Sequence, residues 1–159
     1  MKDIFLSRPN WIDKQYLTGI GGFISLVQAH DLNLRSIGTT DFANQSPMDE
    51  VITVIQECMG TIVLGVPQIQ VQSGKIKNES VTSPIFLGTE WNHIEAALAY
   101  SLHRPLLVIH DKTVSRGIFD RGTLNLFLYS VDMSDPQWPF NHEITGALSK
   151  WVSRLRAKS

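Results

Sequence analysis

The sequence lacks the features that mark secreted, membrane and nucleic-acid-binding proteins. Its one cysteine, Cys58, permits no internal disulfide, and nothing indicates an oxidising compartment. No apolar run approaches the roughly 18 residues of a membrane-spanning helix, and the apolar part of the N-terminus is too short for a signal peptide. The net charge of −1 gives no long-range attraction to nucleic acid or to an anionic membrane. We therefore expect a cytoplasmic protein that binds neither nucleic acid nor membrane.

Several catalytic classes also lack support. The five histidines are scattered without metal-ligand spacing, so no metal site is expected. No phosphate-binding P-loop is present, and the glycines at positions 19, 21 and 22 fall inside a helical pattern, not between a strand and a helix. No serine stands in the elbow motif of the hydrolases. Cys58 lies in an apolar helical pattern, which favours a buried thiol over a reactive one.

The sequence does contain a regular alternation of strand and helix. Apolar runs predict strands at residues 4–6, 32–37, 61–66, 106–110 and 126–131. Helical apolar spacing predicts helices at 11–30, 47–59, 91–102 and 140–155. This order predicts the α/β class, specifically a flavodoxin-like three-layer fold whose five-stranded parallel sheet has the order 2-1-3-4-5. Residues 1–159 are expected to form a single domain, which leaves open that they are the N-terminal part of a longer protein.

One long segment interrupts this alternation. Residues 67–90 are polar and have no helical period, and loops of that length in compact domains are often functional. Within this segment, residues 68–72 alternate between polar and apolar side chains, which indicates an extension of the preceding strand.

Glu95 is the residue that points most directly to function. A helical wheel places it within an apolar stripe, and the stripe consists of Trp91, Ile94, Leu98 and Leu102. The same wheel assigns the opposite face to Asn92, His93, Tyr100 and His103. A carboxylate among apolar positions is costly to bury unless another group pairs with it or uses it. Glu95 is therefore either catalytic or a structural residue bonded to Arg8 or to backbone amides.

A ligand site is expected at the edge of the sheet where this helix begins. In doubly wound sheets, ligands bind beyond the carboxyl ends of the strands, near the point where the strand order reverses. An arginine there would pair with a phosphate or carboxylate, and a tryptophan would stack on a base or ring. The catalytic residue predicted for this edge is Glu95, and the predicted substrate-binding residues are Ser7, Arg8, Asp41, Phe42, Trp91 and Asn92.

This set of residues suits cleavage at the anomeric carbon of a sugar. A carboxylate there can stabilise an oxocarbenium-like centre, attack it, or hold the ribose hydroxyls. No cofactor is expected, because groups of the substrate would supply the rest of the chemistry.

A resemblance to known families rests on two stretches. Residues 88–99 read Gly-Thr-Glu-Trp-Asn-His-Ile-Glu-Ala-Ala-Leu-Ala, and residues 104–109 read Arg-Pro-Leu-Leu-Val-Ile. Together they resemble nucleoside 2-deoxyribosyltransferase-like domains, in which an acidic residue before small apolar residues and a proline-led strand marks the catalytic helix. They also resemble bacterial Toll/interleukin-1 receptor (TIR)-like domains, in which a tryptophan four residues before a glutamate opens this helix. Trp91 and Glu95 stand in that relation here.

The resemblance to TIR-like domains implies cleavage of the N-glycosidic bond of NAD. Glu95 would be the catalytic glutamate, nicotinamide would leave, and ADP-ribose or a cyclic form would remain, so that NAD is a substrate and not a cofactor. In bacteria such domains often serve antiphage defence. The resemblance also implies activity on assembly, through self-association or a partner domain.

Two other functions remain open. The resemblance to the transferases implies transfer of deoxyribose with Glu95 as the nucleophile. The chain departs from that family where its members carry an acidic residue before the Gly-Thr pair, because residues 84–87 here read Pro-Ile-Phe-Leu. Arg8 and Pro9 also stand where the transferases have a tyrosine, and both departures favour the NAD hypothesis. The third hypothesis is a non-catalytic module that binds a nucleotide or pairs with another TIR-like domain.

Overall fold

A computed structural model describes residues 1–157 and contains nine strands and four α-helices within that range. The strands are β1 (Lys2–Ser7), β2 (Leu32–Arg35), β3 (Thr61–Gly65), β4 (Ile69–Val71), β5 (Lys75–Ile76), β6 (Glu79–Ser80), β7 (Ile85–Leu87), β8 (Leu106–Asp111) and β9 (Leu128–Val131). The helices are α1 (Lys14–Gln28), α2 (Pro47–Glu57), α3 (Glu90–Ser101) and α4 (His142–Ala157). Within residues 1–157, no helix is long and apolar enough to cross a membrane.

The central sheet is parallel and has the strand order β2-β1-β3-β8-β9. Numbered along the chain within this sheet, the order is 2-1-3-4-5, so the predicted flavodoxin-like fold is confirmed. Strand β3 is buried along its whole length, as its unbroken apolar sequence predicts for a strand covered on both faces.

Alternation along the strands creates the three layers. Ile4 and Leu6 of β1 point to one face and pack in the core cluster that α1 and α4 complete. Phe5, between them, points to the other face and packs against α2. Val63 of β3 also lies on that second face, beside Ala96 of α3. The cleft described below therefore lies on the side of the sheet that α2 and α3 cover.

The segment between β3 and α3 is folded into strands outside the central sheet. Strand β4 pairs antiparallel with β7, and β5 pairs antiparallel with β6. Lys77 and Asn78 connect β5 to β6 and both have positive φ angles, of 49° and 67°. Two such residues in succession are typical of the tight type I′ hairpin turn. The predicted strand in residues 68–72 exists as β4, but it is part of a separate hairpin and does not extend β3.

Helix α1 begins later than its apolar pattern predicts. Asp13 caps it by accepting a hydrogen bond from the backbone N–H of Gln15, and Trp11 precedes the helix and is exposed. Gly19, Gly21 and Gly22 all lie within α1. The helix is unbroken, and a Cβ on Gly19 would lie 2.4 Å from the indole nitrogen of Trp138. Gly19 therefore allows α1 to contact a short 3₁₀ helix that precedes α4.

Candidate functional site

Helix α3 turns a different face to the sheet from the one the helical wheel predicts. Its buried residues are Asn92, Glu95, Ala96 and Ala99, which follow the i, i+3, i+4, i+7 spacing of one helical face. Asn92 is fully buried, whereas 41% of Trp91 is exposed, so the predicted positions of these two residues are wrong. The small alanine side chains let the helix lie close to the strands, and the larger apolar residues, including Leu98, pack to the side against α2.

A cleft opens where the ends of β1 and β2 meet the beginnings of α2 and α3. Its lining residues are Arg8, Pro9, Asn10, Ile37, Pro47, Val51, Thr89, Trp91 and Glu95. The cleft encloses about 120 Å³. A closed cavity of roughly 150 Å³ accommodates one benzene ring, so this smaller cleft holds at most one ring-sized group of a ligand, part of which lies at its open rim beside Trp91. The remainder of a larger ligand would lie outside, against the rim.

Local sequence features shape this cleft. Ser46 caps α2 by accepting a hydrogen bond from the backbone N–H of Asp49, and Pro47 takes the first helical position. Thr89 caps α3 in the same manner, through the backbone N–H of Trp91. Gly38 has a φ of +82°, and a Cβ there would lie 2.5 Å from the side-chain amide of Asn10. Glycine therefore allows the loop after β2 to approach the loop after β1.

Glu95 is the carboxylate of the cleft and lies almost entirely out of solvent, with 7% of the residue exposed. Burial raises the pKa of its carboxyl group to about 7, and a hydrogen bond from the Ser7 hydroxyl opposes that rise. Glu95 forms no ion pair with any of residues 1–157, so the predicted structural alternative of a bond to Arg8 is not found. Near neutral pH the carboxyl group is therefore present in both its protonated and its ionised form.

Ser7 and Asn92 lie behind Glu95. Ser7 ends β1 and is 1% exposed, and its Oγ accepts a hydrogen bond of 2.8 Å from Nδ2 of Asn92. The Oδ1 atom of Asn92 is buried and has no hydrogen-bond partner. Neither residue belongs to the cleft lining given above. Ser7 and Asn92 were predicted to bind substrate, but the structure places neither on the cleft lining and bonds Asn92 to Ser7.

Arg8 and Trp91, two of the predicted substrate-binding residues, line the cleft itself. Arg8 is half-buried and forms no ion pair with any residue in the described part of the chain. Trp91 begins α3 and exposes 41% of its surface beside the cleft. An unpaired guanidinium and an exposed indole ring are therefore both available to a ligand.

The structure does not bring Asp41 and Phe42 into the cleft. The Asp41 carboxylate accepts a 2.6 Å hydrogen bond from Nη2 of Arg35, and this guanidinium lowers the pKa of Asp41. Arg35 also contacts Glu57 at 2.7 Å. Phe42 is 71% exposed and, like Asp41, is not among the lining residues given above.

Sequence reasoning missed several residues of the cleft wall: Pro9, Asn10, Ile37, Pro47, Val51 and Thr89. Two of these carried a usable signal. Asn10 follows a strand at the expected ligand edge, and Thr89 precedes a helix in the position of a capping residue. Val51 resembles any core residue of an amphipathic helix, and only the packing of α2 beside α3 places it here.

No protein-family model and no curated protein matches this sequence. Among solved structures, the chain is similar to a CMP N-glycosidase of Clostridium botulinum, with a TM-score of 0.51 and 12% identity over 99% of this chain and 100% of that one. It is also similar to the TIR domains of the activated Roq1 resistosome, with a TM-score of 0.44 and 11% identity over 100% of this chain and 86% of that one. At these identities, the first likeness establishes that the chain shares the fold of a CMP N-glycosidase.

Proposed function

We propose that this protein cleaves the N-glycosidic bond of a nucleotide, with Glu95 as the catalytic carboxylate. The observation that carries the proposal is a buried carboxylate with a pKa raised to about 7, lying on a ring-sized cleft. A perturbed carboxyl group in a concave site is typical of a functional residue. In its ionised form it would stabilise the positive charge that develops at the anomeric carbon as the bond to the base breaks.

The composition of the cleft favours NAD as the substrate. Glu95 and Arg8 are the only ionisable side chains in the lining given above. A guanidinium stays protonated at all accessible pH values, so Arg8 is no proton donor. The site therefore offers no second acid beside Glu95 to protonate a departing base. Nicotinamide in oxidised NAD is a pyridinium cation, and it leaves as a neutral molecule without being protonated.

The proposed reaction balances with water as the only co-reactant. The bond between C1′ and the pyridinium nitrogen breaks, and its electron pair goes to nicotinamide. Water adds to C1′ and loses one proton, which Glu95 accepts, and ADP-ribose is the second product. If a hydroxyl group or ring nitrogen of the substrate attacks C1′ in place of water, the product is cyclic.

Arg8 and Trp91 supply the binding contacts in this proposal. Arg8 pairs with a phosphate oxygen of the substrate, because its guanidinium has no carboxylate partner among residues 1–157. Trp91 stacks on an aromatic ring outside the small cleft. That the fold is also found in an enzyme acting on CMP supports a nucleotide as the substrate class.

Assembly belongs to the same proposal. Bulky apolar side chains are exposed on the segments that border the cleft, and they are Trp11, Phe42, Met48 and Trp91. Exposed apolar groups near one site are typical of surfaces that bind a partner or a further copy of the chain. We therefore expect activity to rise with protein concentration, and a role in antiphage defence would follow from activity that is released on assembly.

The test is a turnover screen with NAD, NADP, CMP and deoxyribonucleosides, at low and high protein concentration. We expect nicotinamide release from NAD by the wild type, and a loss of about 10²-fold or more in Glu95→Gln, because the amide cannot balance the developing charge. Glu90→Gln is the matched control. It makes the same substitution in the same helix, at an exposed residue outside the cleft, and should retain activity.

Each other outcome overturns part of the proposal. Base exchange between deoxyribonucleosides, without hydrolysis of NAD, would replace it with the transferase. Cleavage of CMP alone would keep the bond type and Glu95 but reject NAD. If the concentrated wild type leaves every substrate intact, the protein is a binding module, and Glu95→Gln should then change only ligand affinity or assembly.

A further inference from the structure

Two buried polar side chains behind Glu95 are not explained by the demands of the fold. Ser7 and Asn92 lie 85 positions apart in the chain, on β1 and α3, and both are excluded from solvent. Asn92 is the costlier of the two, because its Oδ1 is buried without a partner and such an unsatisfied acceptor opposes folding. An apolar side chain of similar size would avoid that cost, so its amide is better explained by an effect on the site.

The hydrogen bonds among these residues have a direction. Nδ2 of Asn92 is a donor only, so the Ser7 oxygen must be the acceptor in the 2.8 Å contact between them. A hydroxyl group has one proton to donate. With Asn92 occupying one lone pair of the oxygen, the Ser7 proton points away from Asn92, and a hydrogen bond from Ser7 is among the influences on the carboxyl group of Glu95. Asn92, Ser7 and Glu95 thus form a chain of donors that ends on the carboxylate.

We propose that Asn92 is a positioning residue that acts on Glu95 through the hydroxyl group of Ser7. By fixing the direction of the Ser7 proton, Asn92 favours the ionised form of Glu95 and holds the carboxylate toward the cleft. This inference rests on the proposed function, in which Glu95 is the catalytic group. It adds two residues that need not touch the substrate.

Few charged side chains lie near Glu95, so the hydrogen bond from Ser7 is the influence on its pKa that a substitution can remove. Arg8, on the loop after β1, is the charged side chain that lines the cleft with it. The neighbouring helix α2 carries Asp49 and Glu50 in its first turn, and α3 carries Glu90. Burial is the first cause of the raised pKa of Glu95, and the hydrogen bond from Ser7 is the influence that lowers it.

The experiment measures the pKa of Glu95 by NMR titration of side-chain carboxyl carbons, and the Glu95 signal is identified by its loss in Glu95→Gln. Ser7→Ala should raise this pKa by roughly 1–2, the equivalent of one hydrogen bond to the ionised form, and Asn92→Leu should raise it by a smaller amount, because the Ser7 hydroxyl remains. The double variant should show no more than the effect of Ser7→Ala alone, because Asn92 acts only through the hydroxyl group. Asn92→Leu should leave the melting temperature unchanged or raise it.

The outcomes separate this inference from the proposed function, because the titration needs no turnover. If the pKa of Glu95 in Asn92→Leu equals that of the wild type, or if the two substitutions add, the positioning role is wrong. A melting temperature that falls by several degrees in Asn92→Leu, without a change in this pKa, would make Asn92 a structural residue. Should Asn92→Leu not fold, Asn92→Ala gives the same comparison. If the titration behaves as expected and no substrate turns over, only the proposed function fails.

Discussion

Two carboxylates are buried at the carboxyl edge of the sheet, and they differ in the donors they meet. Asp111 ends β8 and is 2% exposed, and it accepts hydrogen bonds from the backbone N–H and hydroxyl of Thr113 and from the backbone N–H of Met133. Glu95 is 7% exposed and receives a hydrogen bond from Ser7. Asp111 thus joins the loops after β8 and β9. Glu95 keeps acceptor capacity free on a cleft, and this difference separates a structural acid from a candidate catalytic one.

The largest expected effect is a loss of stability when Asp111, whose carboxylate accepts three hydrogen bonds, is replaced. Asp111→Ala leaves the buried backbone N–H of Met133 without its acceptor and removes both hydrogen bonds from Thr113, so it should destabilise the fold by about 3–5 kcal/mol. Urea unfolding measures this free energy. Asp132→Ala, at an exposed carboxylate on the loop after β9, is the control and should cost much less. An equal loss in both variants would show that the burial of Asp111 is not what makes it important.

The opposite effect is expected at Glu95, and it depends on pH. The carboxyl group has a pKa near 4.5 in the unfolded chain and about 7 in the fold. Below the lower value both states hold the proton, and between the two values only the folded state does. The contribution of Glu95 to the stability of the fold therefore falls as pH rises from 4.5 to 7. Glu95→Gln has no such loss and should be more stable than the wild type by about 3 kcal/mol at pH 8.

Urea unfolding at pH 4 and at pH 8 tests this expectation. Glu90→Gln, the exposed matched variant, should show no comparable difference between the two conditions. If Glu95→Gln has the same stability as the wild type at both pH values, the carboxylate is not strained by burial. The contrast with Asp111 would then disappear.

The sequence was sufficient to predict the fold and the place of Glu95, because both depend on local patterns. Strand β3 is recognisable from the unbroken apolar run in residues 61–66, and Ser46 with Pro47 marks the start of α2. The faces of α3 were not predictable from apolar size. A wheel ranks Trp91 as an inward residue, but Ala96 allows the closer approach to the sheet and so determines which face is buried.

Side-chain contacts that the sequence does not reveal explain the remaining errors in the predicted site. Asp41 was predicted in the site because its loop follows a strand at the edge of the sheet where ligands are expected. Its carboxylate instead pairs with Arg35, and this ion pair depends on how the loop folds back. Likewise, nothing in the sequence near Asn92 indicates a hydrogen bond to Ser7, which is 85 positions away. Such contacts are set by the strand order and not by any local pattern.

A smaller effect, on binding and not on folding, is expected at Arg8. Arg8→Gln removes an unpaired charge from the cleft, so KM for NAD should rise about tenfold or more, the equivalent of one charge-assisted hydrogen bond, with the melting temperature unchanged. The control is Arg154→Gln, at an exposed residue of α4, on the opposite face of the sheet. A fall in melting temperature with no change in KM would show that Arg8, like Asp111, has a structural role.

The smallest expected effect is at Trp91. If its ring stacks on the substrate, Trp91→Ala should raise KM for NAD roughly fivefold, since an aromatic pair contributes about 1 kcal/mol. Trp91→Phe should recover most of that loss, because it retains a ring. Phe127→Ala removes another exposed aromatic side chain, which lies before β9 and is not part of the cleft, and should leave KM unchanged. An unchanged KM in Trp91→Ala would remove stacking from the mechanism and leave Arg8 as the recognition element of the cleft.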